Sequence, residues 1–168
     1  GLRVPPLNLR MGELEGALGL VQLGRVDGII ATLRRSHAAL TVTLTAAGVE
    51  TRPVPAGATE VGSSVLFYLG DRAEARWVAH ALIAEGVRAG LLIGDAAGTN
   101  RHWAGHWDIA LTRTGVPLPT PEQVEHDRAV LDAAVHIPVD LGWSDRDVEE
   151  TCAALDKVLG HRDPPRDA

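Results

Sequence analysis

Residues 8–35 read NLRMGELEGALGLVQLGRVDGIIATLRR and are the most regular part of this chain. Their apolar side chains recur at steps of three and four residues, the spacing of one face of an α-helix. These side chains are Met11, Leu14, Ala17, Leu18, Val21, Val26, Ile29, Ile30 and Leu33. Asn8 precedes the pattern, at the position of a helix cap. The spacing therefore predicts one long helix.

Glycine is unusually frequent within this predicted helix. In a helix interior each glycine costs up to about 1 kcal/mol relative to alanine. Close packing against a neighbour must supply the missing stability, so we expect that the helix does not stand alone. The glycines are Gly12, Gly16, Gly19, Gly24 and Gly28.

The middle of the chain predicts a small layer of strands and helices. A second helical stretch over residues 34–47 is expected to stop at Gly48, and residues 65–69 resemble a buried strand. Asp71 and Glu74 have the spacing of a capping box, which predicts a helix ending at Gly86. Residues 87–93 are a second strand candidate. This order indicates an α/β (α+β) fold in which helices pack on a small sheet.

The last third of the chain predicts two further helices. Residues 122–134 follow a run of prolines, and residues 136–139 form a short extended piece. Ser144 with Asp147 opens the final helix, whose apolar stripe ends near Gly160. Residues 161–168 are expected to be a disordered tail.

Composition narrows the class of protein. The chain has 168 residues and a formal net charge of −6, which fits one ordinary domain and gives no broad cationic surface for nucleic acid. It contains one cysteine, and no apolar run approaches the roughly 18 residues that a membrane span needs. We therefore expect a cytoplasmic protein that binds neither nucleic acid nor membrane. Because the chain begins with Gly1 and not Met, we also expect a piece of something longer.

Three segments contain residues with candidate chemistry. His102 and His106 have the i,i+4 spacing at which two histidines on a helix can bind a metal ion, but the sequence offers no third ligand nearby. Two other interpretations fit these histidines better. They could line a pocket for a polar ligand together with Trp103 and Trp107, or they could simply pack beside the tryptophans. Residues 94–99 follow a strand but lack the motif of a nucleotide-binding loop. Asn8 with Arg10 could grip an anion at a helix start, although spacing alone favours a cap and a solvated cation.

Residues 8–23 resemble a family signature. They match the pattern Asn-x-Arg-Met-x-x-x-x-x-Ala-x-Gly-x-x-Gln-Leu of the DegT/DnrJ/EryC1/StrS family, the pyridoxal-phosphate sugar aminotransferases of fold type I. Residues 26–35 continue as family members do toward their small domain, and residues 135–159 resemble the family's C-terminal end. The resemblance is strongest over residues 8–35 and weakest over residues 50–120.

The resemblance implies a cofactor, a substrate and roles for particular residues. In this family the signature asparagine reaches across a homodimer to the phosphate of pyridoxal 5'-phosphate, and the nearby arginine lies close by. The matching residues are Asn8 and Arg10. A small-domain loop lies near the keto sugar, which is often nucleotide-linked and receives nitrogen from glutamate or glutamine. That loop corresponds to Asn100, Arg101, His102, Trp103, His106 and Trp107.

The resemblance also implies a missing part. The Schiff-base lysine of the family lies in a large domain that precedes the signature, and Lys157 is the only lysine here. The chain by itself is therefore expected not to transaminate. The expected division is residues 1–35 leading into and forming the interdomain helix, residues 36–160 as the C-terminal small domain, and residues 161–168 as the tail. A non-catalytic dimerisation or binding module from a truncated or split gene, and a dehydratase relative, remain alternatives.

Overall fold

The computed structural model describes residues 11–93 and 108–162, with the backbone alone for residues 108–110. Six helices and four strands lie within these ranges. In chain order they are α1 (Glu13–Leu23), α2 (Val26–Ala46), β1 (Glu50–Thr51), β2 (Ser64–Tyr68), α3 (Arg72–Ala84), β3 (Gly90–Leu91), α4 (Asp108–Thr114), α5 (Pro121–Asp132), β4 (Ala134–Pro138) and α6 (Asp145–Gly160).

The four strands form one antiparallel sheet in the order β1-β2-β4-β3. Strands β2 and β4 pair along their full length, from Ser64 opposite Pro138 to Tyr68 opposite Ala134. The predicted combination of helices with a small sheet is therefore confirmed. The short piece expected near residues 136–139 is a central strand and not a minor one.

The second predicted strand is shorter than expected. Among the described residues, Gly90 and Leu91 form the ladder with β4, and the N–H of Leu92 donates to the carbonyl of Ala134 at 3.4 Å. The backbone N–H of Val87 donates to the carbonyl of Leu82, so residue 87 belongs to the turn that ends α3. This turn uses the left-handed backbone of Gly86, which has a φ of 88°.

One face of the sheet and three helices enclose the core. Alternate residues of β2 and β4 point to this face, as strand geometry requires. Helices α2, α3 and α6 supply the other side. The largest of the fully buried side chains are Phe67, Leu40, Leu44, Leu82, Ile137, Leu155, Val65, Val78 and Val135.

The prediction of one long N-terminal helix is wrong about both its continuity and its first residue. Helices α1 and α2 are separate and bent by 50° at residues 24–25, where Gly24 ends the first helix. Helix α2 then continues to Ala46, through residue 34, where the pattern placed a boundary. Helix α1 begins at Glu13 with Gly12 as its N-cap, so Asn8 is not its cap.

Capping hydrogen bonds explain where two of the predicted helices begin. The Asp71 carboxylate accepts from the N–H of Glu74 at 2.8 Å, while the Glu74 carboxylate accepts from the N–H of Gly70 at 2.7 Å. Ser144 and Asp147 form the complete capping box predicted for α6. Local side chain to backbone bonds are therefore the part of the structure that the sequence predicts best.

The Asp147 cap predicts a pH-dependent stability. Its carboxylate accepts from the backbone N–H and the hydroxyl of Ser144, at 2.7 and 2.6 Å, and these bonds lower its pKa below the ordinary value of 3.8. A carboxyl whose pKa is lowered on folding stabilises the fold above its ordinary pKa and loses that effect as the pH falls through the lowered value. We expect Asp147→Asn to lower the melting temperature at neutral pH, with the difference from the parent shrinking as the pH falls below about 4.

A matched control for this prediction is Asp145→Asn. It removes a carboxylate from the same first helical turn, and therefore the same favourable charge at the helix start, but no cap hydrogen bond. Thermal unfolding followed by circular dichroism at several pH values separates the two. Equal effects of both variants at every pH would contradict the role assigned to the cap.

Candidate functional site

The residues singled out by sequence lie outside the described part of the chain. This holds for Asn8 and Arg10, for the nucleotide-loop candidate at residues 94–99, and for the predicted substrate segment. That segment comprises Asn100, Arg101, His102, Trp103, His106 and Trp107. Their assigned roles stay predictions, and the described residues provide the frame around them.

The surface of α1 is apolar and uncovered. Within the described chain this helix has no buried residue, and Leu14 and Leu18 are 83% and 60% exposed. A helix that is apolar around most of its circumference is normally buried. Among residues 11–93 and 108–162, the α1 apolar surface therefore lacks the neighbour that its glycines and leucines require. It consists of Met11, Leu14, Leu18, Leu20, Val21 and Leu23.

No single helix among the described residues is both long enough and apolar enough to cross a membrane. Helices α1 and α2 meet both requirements only when taken together as a bent pair.

The sheet has a second face that points away from the core. The register places Leu66 opposite His136, and both lie on the side opposite to Phe67 and Val135. Leu66 is only partly buried and does not belong to the hydrophobic core of the described residues. We call this surface the open sheet face. Its members are Ser64, Leu66, Tyr68, Gly90, His136 and Pro138.

A cleft of about 580 Å³ lies at the Ser64 end of β2, lined by residues 52–55 and 58–64. Glu60 fixes the loop that forms it. The Glu60 carboxylate accepts from Arg52 at 2.7 Å and lies 3.1 Å from Nε2 of His37, and its backbone carbonyl accepts from Arg34 at 2.8 Å. Gly62 adds a close approach to α2, because a Cβ there would lie 3.0 Å from the backbone of Leu33.

Removal of the Glu60 carboxylate tests how this loop is held. We expect Glu60→Ala to lower the free energy of unfolding by about 1–2 kcal/mol, since it removes the carboxylate that pairs with the partly buried His37 and the exposed Arg52. Elastase cleavage after Ala56 or Ala58 should accelerate as the loop loosens. The control is Glu150→Ala, which removes an exposed i,i+4 pair with Arg146 and should cost less than about 0.5 kcal/mol. A loss no larger than that of the control would mean that the cluster does not fix the loop.

At the other end of the sheet, Arg72 holds Ile93, the last described residue before the predicted substrate segment. Its guanidinium pairs with Asp132 at the end of α5 and donates to the carbonyl of Ile93 at 3.4 Å. Arg128 approaches the same carboxylate at 3.5 Å. Ile93 is thereby linked through Arg72 to both α3 and α5.

The remaining candidates have structural roles. Cys152, the single cysteine of the sequence, is partly buried and packs against the core. Lys157 pairs with Glu85 at 2.8 Å on the exposed surface. Among the described residues, no group of three or more His, Cys, Asp or Glu side chains could hold a metal ion.

Two features of this site were not found from the sequence. The run SVLFY in β2 is apolar on both of its faces apart from Ser64, so it gives no sign that one face is open. The Glu60 cluster joins residues that lie 8 and 23 positions apart from it, at Arg52 and His37. Pairing across such distances has no local signal.

Comparison with known proteins gives matches in structure alone. No family model and no curated protein sequence matches the chain. The putative sugar aminotransferase Spr1654 from Streptococcus pneumoniae matches with a TM-score of 0.63 at 13% identity, over 95% of this chain and 38% of that one. The aminotransferase TlmJ from Streptoalloteichus hindustanus matches with a TM-score of 0.64 at 18% identity, over 94% and 39%. Helicobacter pylori PseC, an aminotransferase of pseudoaminic acid biosynthesis, matches with a TM-score of 0.61 at 11% identity, over 95% and 40%.

These matches establish a shared fold. Nearly all of this chain corresponds to part of an aminotransferase, and the chain spans about two fifths of the length of the structures it matches.

Proposed function

We propose that this chain is the C-terminal part of a pyridoxal-phosphate-dependent sugar aminotransferase. The observation that carries the proposal is the fold match, which extends over 95% of this chain but only 38% of Spr1654. In this proposal residues 1–35 lead into and form the interdomain helix, residues 36–160 form the small domain, and a large domain covers the α1 apolar surface. The family signature in residues 8–23 supports the same assignment.

The cofactor does not fit the described residues of this chain. Pyridoxal phosphate requires a lysine amine with which to form an imine, and Lys157 is the only lysine in the sequence. Its ammonium group is engaged by both carboxylate oxygens of Glu85 at the surface. The group that binds the cofactor covalently must therefore come from the missing large domain.

The substrate assignment follows the family resemblance. The complete enzyme would move an amino group from glutamate or glutamine to a keto sugar, which we propose is nucleotide-linked. Asn8 and Arg10 would bind the cofactor phosphate in the other subunit of a homodimer. The segment from Asn100 to Trp107 would form part of the sugar pocket, since donors beside aromatic faces are suited to sugar hydroxyls.

The experiment that tests this function supplies the missing part. The upstream reading frame is joined to this chain or co-expressed with it, and cofactor absorbance and amino transfer are measured. We expect both to appear in the complete protein and neither in this chain alone. Asn8→Ala and Arg10→Ala should each reduce cofactor retention and activity. Unchanged activity in both variants would reject the roles assigned to these residues.

The uncovered α1 surface favours a second candidate, a non-catalytic dimerisation or binding module. In that case α1 of one copy would pack on α1 of another. Light scattering combined with a pyridoxal phosphate titration separates the two candidates. A stable dimer that never binds cofactor, even with the upstream frame present, would favour the module.

A further inference from the structure

His136 is a polar side chain at the centre of the open sheet face. It lies on β4, opposite Leu66 on one neighbouring strand and opposite Gly90 on the other. Its neighbours along the strand, Val135 and Ile137, are fully buried in the core, whereas the His136 side chain is on the other side and only partly buried. The fold therefore places an imidazole on the surface that faces away from the core.

A hydrogen bond to the edge strand fixes the protonation pattern of this ring. Nδ1 of His136 lies 3.1 Å from the carbonyl oxygen of Gly90. A carbonyl oxygen can only accept a hydrogen bond, so Nδ1 must carry the proton. In the neutral ring Nε2 is then unprotonated and acts as a hydrogen-bond acceptor.

Gly90 also provides the space for the ring. A Cβ at this position would lie 3.0 Å from Cε1 of His136 and 3.4 Å from Nδ1. The ring therefore occupies the volume that any other residue would fill. A backbone hydrogen bond and close packing together hold the ring in one orientation, which is the requirement for a binding group that is preorganised.

No described residue donates a hydrogen bond to Nε2 of His136. We propose that His136 is a substrate-binding residue whose Nε2 accepts a hydrogen bond from a hydroxyl group of the sugar. This inference rests on the proposed function, and it adds that the open sheet face turns toward the large domain and the active site between the two domains. A hydroxyl is the matching donor because a neutral imidazole offers one lone pair and no charge.

The first test uses this chain as it is. Long-range ¹H–¹⁵N NMR of His136 in the isolated chain should show a protonated Nδ1 and a bare Nε2 at alkaline pH. In Gly90→Ala the signal should move toward the tautomer mixture of a free imidazole, because the added methyl displaces the ring. A protonated Nε2 in the parent chain would overturn the inference.

The second test uses the complete enzyme and separates its two half-reactions. We expect His136→Phe, which keeps a flat ring but loses the acceptor, to raise KM for the keto sugar by about tenfold, as expected for one lost hydrogen bond. The half-reaction with the amino donor should be unchanged, because it involves no sugar. His136→Gln, which keeps an acceptor, should recover part of the loss.

Each other outcome has a definite meaning. An unchanged KM for the sugar in His136→Phe, with an active parent enzyme, overturns this inference alone. Equal losses in both half-reactions, together with weaker assembly, would show that Nε2 binds the covering domain and not the sugar, and would also overturn it. A complete parent protein that performs neither half-reaction overturns the proposed function and this inference with it.

Discussion

Leu18→Asp is expected to leave the isolated chain folded and to prevent assembly of the complete enzyme. Leu18 lies on α1, where it is 60% exposed and contacts no core residue of the described chain, so the free energy of unfolding should change by no more than about 0.5 kcal/mol. Beneath a large domain the same carboxylate would be buried among apolar groups. Burial of an unpaired charge costs several kcal/mol, so we expect assembly and activity to fall by more than about 100-fold.

The control for Leu18→Asp is Val42→Asp. Val42 is also an exposed apolar residue in a helix, at 69% exposure, but it lies on α2 and not on the α1 apolar surface. We expect it to change neither the isolated chain nor the complete enzyme. Assembly is measured by size-exclusion chromatography with light scattering. Normal assembly of Leu18→Asp would show that α1 is not covered by another part of the enzyme.

The helical region shows what periodicity can and cannot predict. The apolar spacing of residues 8–35 correctly indicates helix, because helical repeat and side-chain pattern are local properties. The 50° bend at residues 24–25 falls where the repeat is broken by a step of five residues, from Val21 to Val26, after which steps of three and four residues resume. Thr41, Thr43 and Thr45 are β-branched and disfavour helix, but their hydroxyls donate to carbonyls four residues earlier and fit within α2.

The sheet shows that local sequence patterns do not predict which strands pair. Strand β2 is predictable as a buried run, whereas β4 is interrupted by His136 and Pro138 and looks like a short connecting piece. Its central place depends on pairing with two distant strands. The paired residues of β2 are at least 66 positions away along the chain, and those of β3 are at least 44 positions away. No local pattern contains that information.

The residues of the candidate site are assigned on two different grounds. The roles of Asn8, Arg10 and the segment from Asn100 to Trp107 come from family resemblance and lie outside the described residues. The ring orientation of His136 comes from the structure, because it requires Gly90 to be its neighbour across the sheet. A histidine in an apolar strand is, from sequence alone, equally compatible with packing.

Phe67→Ala is expected to have the largest effect on stability, and its neighbour Leu66→Ala a small one. Phe67 is fully buried, and it points to the core beside Val135. Loss of its ring should lower the free energy of unfolding by about 3–5 kcal/mol, a large part of the total for a domain of this size. Leu66 points to the open sheet face, so its loss should cost about 1 kcal/mol or less, since few contacts disappear.

The comparison of these two variants tests the two-sided sheet directly. Urea denaturation of the isolated chain measures the difference, and an unchanged m-value for both variants shows that each still unfolds in the same manner. In the complete enzyme Leu66→Ala should become more costly than in the isolated chain, because a covering domain would pack on that side. Equal losses for both variants in the isolated chain would mean that the chain covers both sides of its own sheet. The sheet would then have no face left for a large domain to cover, and the assembly proposed above would lose its second surface.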